Sequence, residues 1–305
     1  MAGSKQAVLY DGILCINKPE GFTSFDVVAK IRGILGQRRV GHAGTLDPMA
    51  TGVLPVFLGR ATRICDVAPR REKGYRAGLR LGLTTDTQDS TGTVLAETAG
   101  SVTRQQLEQA LATLVGESMQ LPPMYSAIKI GGQKLYHLAR QGMEVERPRR
   151  PITVYDMTLA EFDPAAQTAV IDVTCSEGTY VRTLCHDAGQ LLGVGAVMTS
   201  LCRTHALGFG LAQCVTLEQL QAAADSGSIS KLILPTEQAL ADYPLLVLDE
   251  TQTRLFSNGV RLDLDRITGC PEGEVLRVRG QDGRFLGLAR QDTVQKELAV
   301  LKLLA

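Results

Sequence analysis

The densest concentration of chemistry-bearing residues is the segment 41–63, GHAGTLDPMATGVLPVFLGRATR. Gly41, Gly44, Gly52 and Gly59 let the backbone turn sharply around three polar side chains, His42, Asp47 and Thr51. Asp47 precedes Pro48, which biases it toward an extended conformation and keeps its carboxylate in a loop rather than on a helix. A carboxylate so placed can act as nucleophile or base. It can equally be a turn former that bonds its own backbone. The usual glycine-rich phosphate cradles, GxxxxGKS/T and GxGxxG, do not occur here.

A second cluster is CSEGTYVRTLCHDAGQLLG, residues 175–193, which follows a strand pattern of Ala169, Ile171, Val173 and Cys175 alternating with polar positions. Gly178 permits a turn, and Thr179 can cap a helix that ends at Gly193. An extended chain through 180–182 points Tyr180 and Arg182 to one side, whereas a helical one makes them diverge. Arg182 has two readings. Beside Asp47 its guanidinium would keep that carboxylate ionised and aimed. Otherwise it is a surface ion-pair partner of Asp187 or Glu177.

The elements that must position these residues are legible in outline. Ser24 can cap a helix over 25–35, with Val27, Val28, Ile31, Ile34 and Leu35 on one stripe and Asp26 in the first turn. Arg32, Arg38 and Arg39 are left for solvent or phosphate. Tyr75, Ala77, Leu79 and Leu81 alternate with Arg76, Gly78 and Arg80, a strand with one buried face, followed by the polar loop TTDTQDSTG. Capping boxes at Thr103 with Gln106 and at Thr216 with Gln219 open two further helices, the first stopping at Gly116.

Residues 122–151, PPMYSAIKIGGQKLYHLARQGMEVERPRRP, are bracketed by prolines and carry six Lys/Arg against Glu144 and Glu146, with Tyr125, Tyr136 and His137. This composition suits an insertion that grips nucleic acid; it also suits a plain basic hairpin and helix on the surface. After residue 242 short alternating runs separated by turns such as QDGR predict a small β barrel, an appended module beginning near Ala241 to Pro244.

Composition bounds the rest. A chain of 305 residues allows one large domain or two unequal ones. With 44% apolar and 21% charged residues it is neither disordered nor a single long coiled coil. No window approaches ~18 uninterrupted apolar residues, and MAGSKQAVLYDGILCINKPEG lacks the continuous apolar core of a signal peptide. A cytoplasmic protein is expected. The seven cysteines never form a CxxC pair and read as reduced, mostly buried thiols; the four histidines are far apart, so no structural zinc is expected. Net charge is zero, yet residues 1–80 carry +7 and residues 151–244 carry −7. One face could therefore attract a polyanion, although chance clustering gives the same count.

Taken together, NKPEGFTS (17–24), GHAGTLDPMATGVLPVFLGRAT (41–62), KGYR (73–76), LGLTTDTQDSTG (81–92), PPMYSAIKIGGQKLYHLARQG (122–142) and GTYVRTL (178–184) closely resemble the TruB family of tRNA pseudouridine synthases. The resemblance runs in order over essentially the whole chain. One departure is Arg63, where some relatives have Lys.

The resemblance implies an α+β fold: a pseudouridine-synthase catalytic domain over 1–242, with a mixed, largely antiparallel sheet flanked by helices and an RNA-gripping insertion at about 122–151, then a small PUA-like β barrel over 243–305 for RNA binding. It implies a cytoplasmic enzyme that isomerises uridine 55 in the tRNA T-arm by base flipping, with no metal or organic cofactor. No obligate protein partner and a monomer are expected. By motif position Asp47 is the catalytic aspartate, attacking C1′ or assisting a glycal route. Arg182 pairs with it, Tyr75 stacks on the target uracil, and Tyr180 lies against the ring and handles a proton. His42 fills the space left by the extruded nucleotide, Leu201 lines the pocket, and Lys18 and Pro19 support the loops of the site. Two other readings are a catalytic subunit of a guide-RNA particle and a non-catalytic RNA-folding protein.

Overall fold

The computed structural model describes residues 9–69, 72–126 and 128–304. The first eight residues, together with Arg70 and Arg71 of the basic N-terminal third, lie outside the described residues. The chain forms two compact units: Met1–Pro48, Val53–Arg70 and Leu207–Ala305 make the first, Met49–Gly52 and Arg71–Ala206 the second.

In the first unit the strand Gly12–Lys18 is buried at every residue but Asn17, as its apolar run ILCI requires. The helix Ser24–Leu35 packs Val27, Val28, Ile31 and Leu35 into a core with Leu14, Ile16, Leu54, Val56 and Leu58, and the helix Leu217–Asp225 adds Leu217 and Leu220. Thr23, not Ser24, caps the first helix, through a capping box with Asp26. The cap expected at Ser24 thus lies one residue earlier. Thr23 takes the cap because Ser24 is buried and bonded elsewhere.

The C-terminal part of this unit is a five-stranded curled sheet of the PUA-like type, ordered Leu245–Leu248, Val275–Gly280, Phe285–Asp292, Glu297–Leu303, Leu262–Asp263. Its first pair is parallel and the rest antiparallel. Strand periodicity did not reveal the helix Glu250–Ser257, which is opened by an Asp249–Gln252 capping box and contributes Phe256 to the sheet's core. Glu237 fixes the sheet to the preceding chain, accepting from Arg277 at 3.1 Å and Arg279 at 2.7 Å. Arg63 also donates to the Leu303 carbonyl at 2.5 Å.

The second unit is built on antiparallel strands in the order Ala196–Ala206, Lys73–Leu81, Thr168–Cys175, Arg150–Asp163, Gly116–Gln120. Thr51 and Gly52 pair in parallel with Cys202 and Arg203, which makes the sheet mixed. The helix Arg104–Thr113, capped by Thr103 and Gln106, packs on the Arg150–Asp163 strand, and the helix Val181–Leu191 packs on Ala196–Ala206. The first of these ends at Thr113 with Leu114 as its C-cap, because Gly116 already opens a strand.

Candidate functional site

His42 and Asp47 belong to the first unit. His42 ends the strand Val40–His42 opposite Val56 and is half-buried. Asp47, also half-buried, follows in a loop whose flanking residues are both pinned. On one side the Leu46 N–H donates to Ser24 Oγ at 2.9 Å, and that hydroxyl lies 3.4 Å from the Leu46 carbonyl. On the other the Pro48 carbonyl accepts from Lys18 Nζ at 3.1 Å and from the Gly21 N–H at 2.8 Å. Lys18 is fully buried and also donates to the carbonyls of Pro19 (2.8 Å) and Phe22 (2.5 Å). An ammonium can be held in a protein interior when its three donors are used, and here three backbone carbonyls meet them. The backbone that carries Asp47 is thereby held on both sides.

The second unit holds Tyr75, Tyr180, Arg182 and Leu201. Antiparallel register places Tyr75 across from Val173 on one side and Arg203 on the other, and Ala77 across from Ile171 and Leu201. Tyr75 and Leu201 are thus diagonal neighbours on adjacent strands, both buried. Thr51 Oγ1 lies 3.5 Å from the Leu201 carbonyl. Arg203, fully buried next to Tyr75, was not singled out by sequence reading; a lone Arg in a β pattern gives no signal of burial.

Tyr180 is extended, at φ −96° and ψ 107°, and the helix begins at Val181. Tyr180 therefore occupies the N-cap position that Thr179 was expected to fill, and the Thr179 hydroxyl instead lies 3.3 Å from Ser176 Oγ. The helix ends at Leu191 rather than at Gly193, with Leu192 as C-cap. Arg182 sits in the first turn and is 4% exposed. Its Nη1 donates to the Thr87 carbonyl at 3.2 Å and lies 3.4 Å from Asp89 Oδ2, and its Nη2 donates to the Tyr125 carbonyl at 3.0 Å. The surface reading of Arg182 is thus overturned: the guanidinium is buried, and Glu177 faces Lys73 at 3.8 Å instead. Burial holds the Lys73 ammonium below its usual range, Glu177 opposing the shift and Arg203 adding to it.

Asp89, in the polar loop TTDTQDSTG, is buried beside Arg182. Its Oδ1 accepts from Thr87 Oγ1 (2.8 Å), Thr91 Oγ1 (2.6 Å) and the Thr91 N–H (3.0 Å), leaving Oδ2 toward Arg182. The signal was the threonine spacing around an acid in TTDTQDSTG, which supplies local donors to one carboxylate oxygen.

The 122–151 segment forms the hairpin Lys129–Ile130 and Gln133–Lys134, turning at Gly131 and Gly132 with φ of 58° and 84°, and then the short helix Leu135–Ala139. Lys134 Nζ lies 5.5 Å and the Arg140 guanidinium 5.6 Å from the Tyr136 ring centre, and the His137 ring is 4.2 Å away. Cations gathered around an aromatic ring give a surface able to meet both a base and a phosphate. Among the described residues no group of His, Cys, Asp and Glu gathers to hold a metal ion.

Comparison with known families decides the lineage. Residues 32–181 match the TruB family pseudouridylate synthase N-terminal domain, and residues 182–241 match the tRNA pseudouridylate synthase B C-terminal domain. The chain belongs to the TruB family. Curated relatives named tRNA pseudouridine synthase B include those of Dehalococcoides mccartyi strain CBDB1, 43% identical over 93% of each chain, and of Clostridium kluyveri, 40% identical over 95% of this chain and 99% of the relative. Among solved structures, the chain is similar to one in a Cbf5–Nop10–Gar1 complex, with a TM-score of 0.76 and 27% identity over 96% of this chain and 85% of that one. It is also similar to one in an H/ACA RNP bound to a substrate RNA containing 2′-deoxyuridine, with a TM-score of 0.74 and 25% identity over 96% of this chain and 85% of that one. The pseudouridine-synthase fold of this TruB member thus carries its Asp47 on a pinned loop and its Arg182 in a buried helix turn.

Proposed function

We propose that this TruB member is a tRNA pseudouridine synthase that isomerises uridine 55 of the T-arm. The observation that carries the reading is the likeness, over more than nine-tenths of the chain, to relatives named tRNA pseudouridine synthase B, with GHAGTLDPMATG intact at 41–52. The C1′–N1 bond of the uridine breaks, the uracil rotates, and C5 joins C1′; the proton on C5 leaves and N1 gains one. Nothing is added or removed overall, so no oxidant or group donor is needed.

A glycosidic carbon inside a stacked arm is out of reach, so the nucleotide is flipped at a cost of a few kcal/mol. Stacking on Tyr75, worth about 1–3 kcal/mol per base, offsets that cost, and His42 fills the space left behind. Asp47 acts at C1′ and Arg182 is the cation that aims it. Tyr180 lies against the ring and handles its proton, and Leu201 lines the pocket. In support, Tyr75 and Leu201 are neighbours on one sheet, and the helix that begins after Tyr180 packs against both of their strands.

Residues 129–150 and the basic N-terminal third grip phosphates, and residues 243–305 form the RNA-binding module appended to the 1–242 catalytic domain. The enzyme works in the cytoplasm as a monomer with no obligate protein partner. No helix of the described residues is long and apolar enough to cross a membrane.

The guide-RNA reading has one observation in its favour, the likeness to chains solved in the Cbf5–Nop10–Gar1 and H/ACA complexes. Identity there is 27% and 25%, against 43% for a relative named tRNA pseudouridine synthase B, and the stand-alone reading is preferred. Incubation of the purified protein with an unmodified T-arm transcript, followed by chemical mapping of pseudouridine, tests it. Modification at position 55 without guide RNA or added protein is expected. Modification only with a guide particle would sustain that rival, and RNA binding without turnover would sustain the RNA-folding reading.

A further inference from the structure

We propose that Gln120 is a positioning residue for Tyr180. Gln120 ends the strand Gly116–Gln120 and is buried, at 5% exposure. Its side-chain carbonyl accepts from the Tyr180 N–H at 2.8 Å, and its amide nitrogen donates to the Tyr180 carbonyl at 3.1 Å. One amide thus satisfies both backbone groups of one residue, as a neighbouring strand does in a ladder.

Position makes this consequential. Tyr180 is the N-cap of the Val181–Leu191 helix, yet no side chain caps that helix from within its own segment. The Tyr180 carbonyl already accepts from the N–H groups of Thr183 (3.1 Å) and Leu184 (3.2 Å), so it is the hinge between extended chain and helix. Gln120 closes the outer side of that hinge from sixty residues away. An N–H left buried and unbonded there would favour a different entrance to the helix and swing the phenol.

Gln120 lies just ahead of Pro122, where the basic insertion begins, and Arg182 bonds the Tyr125 carbonyl of that insertion at 3.0 Å. The root of the insertion therefore grips the start of this helix at two points. Only the Gln120 contact is made to the backbone of the residue that meets the ring. The inference rests on the reading that Tyr180 works at the flipped nucleotide.

The test uses the full chain and a T-arm stem-loop RNA, with kcat, KM and thermal melting measured for Gln120→Met, Gln120→Glu, Tyr180→Phe and the double variant Gln120→Met with Tyr180→Phe. Methionine keeps the length and loses both bonds; glutamate keeps the acceptor for the Tyr180 N–H. The expected result is a fall in kcat of roughly tenfold or more for Gln120→Met, with KM within about threefold of wild type and a smaller fall for Gln120→Glu. In the Tyr180→Phe background Gln120→Met should add less than about threefold, because residues acting through one another are not additive.

Equal losses in both backgrounds, or a Gln120→Met kcat within about twofold of wild type, would overturn the inference while leaving Tyr180 in its role. An inactive wild type or a silent Tyr180→Phe would overturn the underlying reading and this inference with it. If Gln120→Met does not fold, Gln120→Glu decides: an unchanged kcat overturns the inference, and a lowered kcat at unchanged KM supports it.

Discussion

Lys18 and Asp47 are linked through one carbonyl: the buried Lys18 ammonium donates at 3.1 Å to the oxygen of Pro48, the residue that follows Asp47. A cation twenty-nine positions upstream therefore holds the loop that carries Asp47, the residue proposed to act at the sugar.

Replacing Lys18 by Met keeps the stem and removes three donors, leaving the carbonyls of Pro19, Phe22 and Pro48 short of a partner. Each such loss costs about 1–3 kcal/mol, offset in part because a buried charge goes too. A net loss of about 2–4 kcal/mol in a denaturant melt is expected. The turnover of the fraction that remains folded should fall roughly tenfold or more. A variant as stable and as active as wild type would separate Lys18 from the loop.

Arg182 uses both terminal nitrogens on three acceptors, a pattern that a single ammonium cannot reproduce. Arg182→Lys should reduce kcat roughly 10²-fold with the fold retained. Asp89→Asn should instead appear mainly in stability, about 1–3 kcal/mol, because it removes one charged acceptor from a buried guanidinium. The two profiles, compared by melting and by turnover, distinguish catalysis from support.

Gly52 has φ of 99°, and a Cβ there would sit on the backbone of Arg203 in the adjacent strand. Gly52→Ala meets both backbone strain and a main-chain clash, for a loss of roughly 3 kcal/mol or more. Low soluble yield or a strongly lowered melting midpoint is expected, and a near-native melt would show that the strands part there at little cost.

Cys185 lies one turn into the helix after Arg182, and burial pushes its thiol up to about 12; Cys175 is pushed up to about 11 by the same cause, its hydrogen bond from Thr179 and the nearby Lys73 opposing. A raised thiol pKa keeps the sulfur protonated at pH 8, and alkylation needs the thiolate. Iodoacetamide at pH 8 should leave both unlabelled in the native protein and label both after denaturation, read by mass spectrometry of the peptides. Rapid native labelling would contradict the packing of this helix.

Where side-chain period and local chemistry decide an element, the sequence was sufficient. The stripe of Val27, Val28, Ile31 and Leu35, the alternation from Tyr75 to Leu81, and the Thr103 and Thr216 capping boxes all reappear in the fold. What escaped depends on distant partners. Ser24 looked like a cap until Leu46, twenty-two residues on, claimed its hydroxyl. Asp89 and Gln120 acquire their meaning from Arg182 and Tyr180, some ninety and sixty residues away, and no spacing rule reaches that far. Burial of Arg182 was equally invisible, since an arginine at a helix start gives no local sign of depth.

Single-turnover pseudouridine formation by Asp47→Ala on a T-arm stem-loop, with the RNA dissociation constant of the same variant measured in parallel, tests whether the Asp47 carboxylate performs the chemistry. Binding within a few-fold of wild type and no detectable product are expected, since the role proposed for the carboxylate lies at the sugar and not in the grip on phosphates. Product forming at a rate near that of wild type would contradict it.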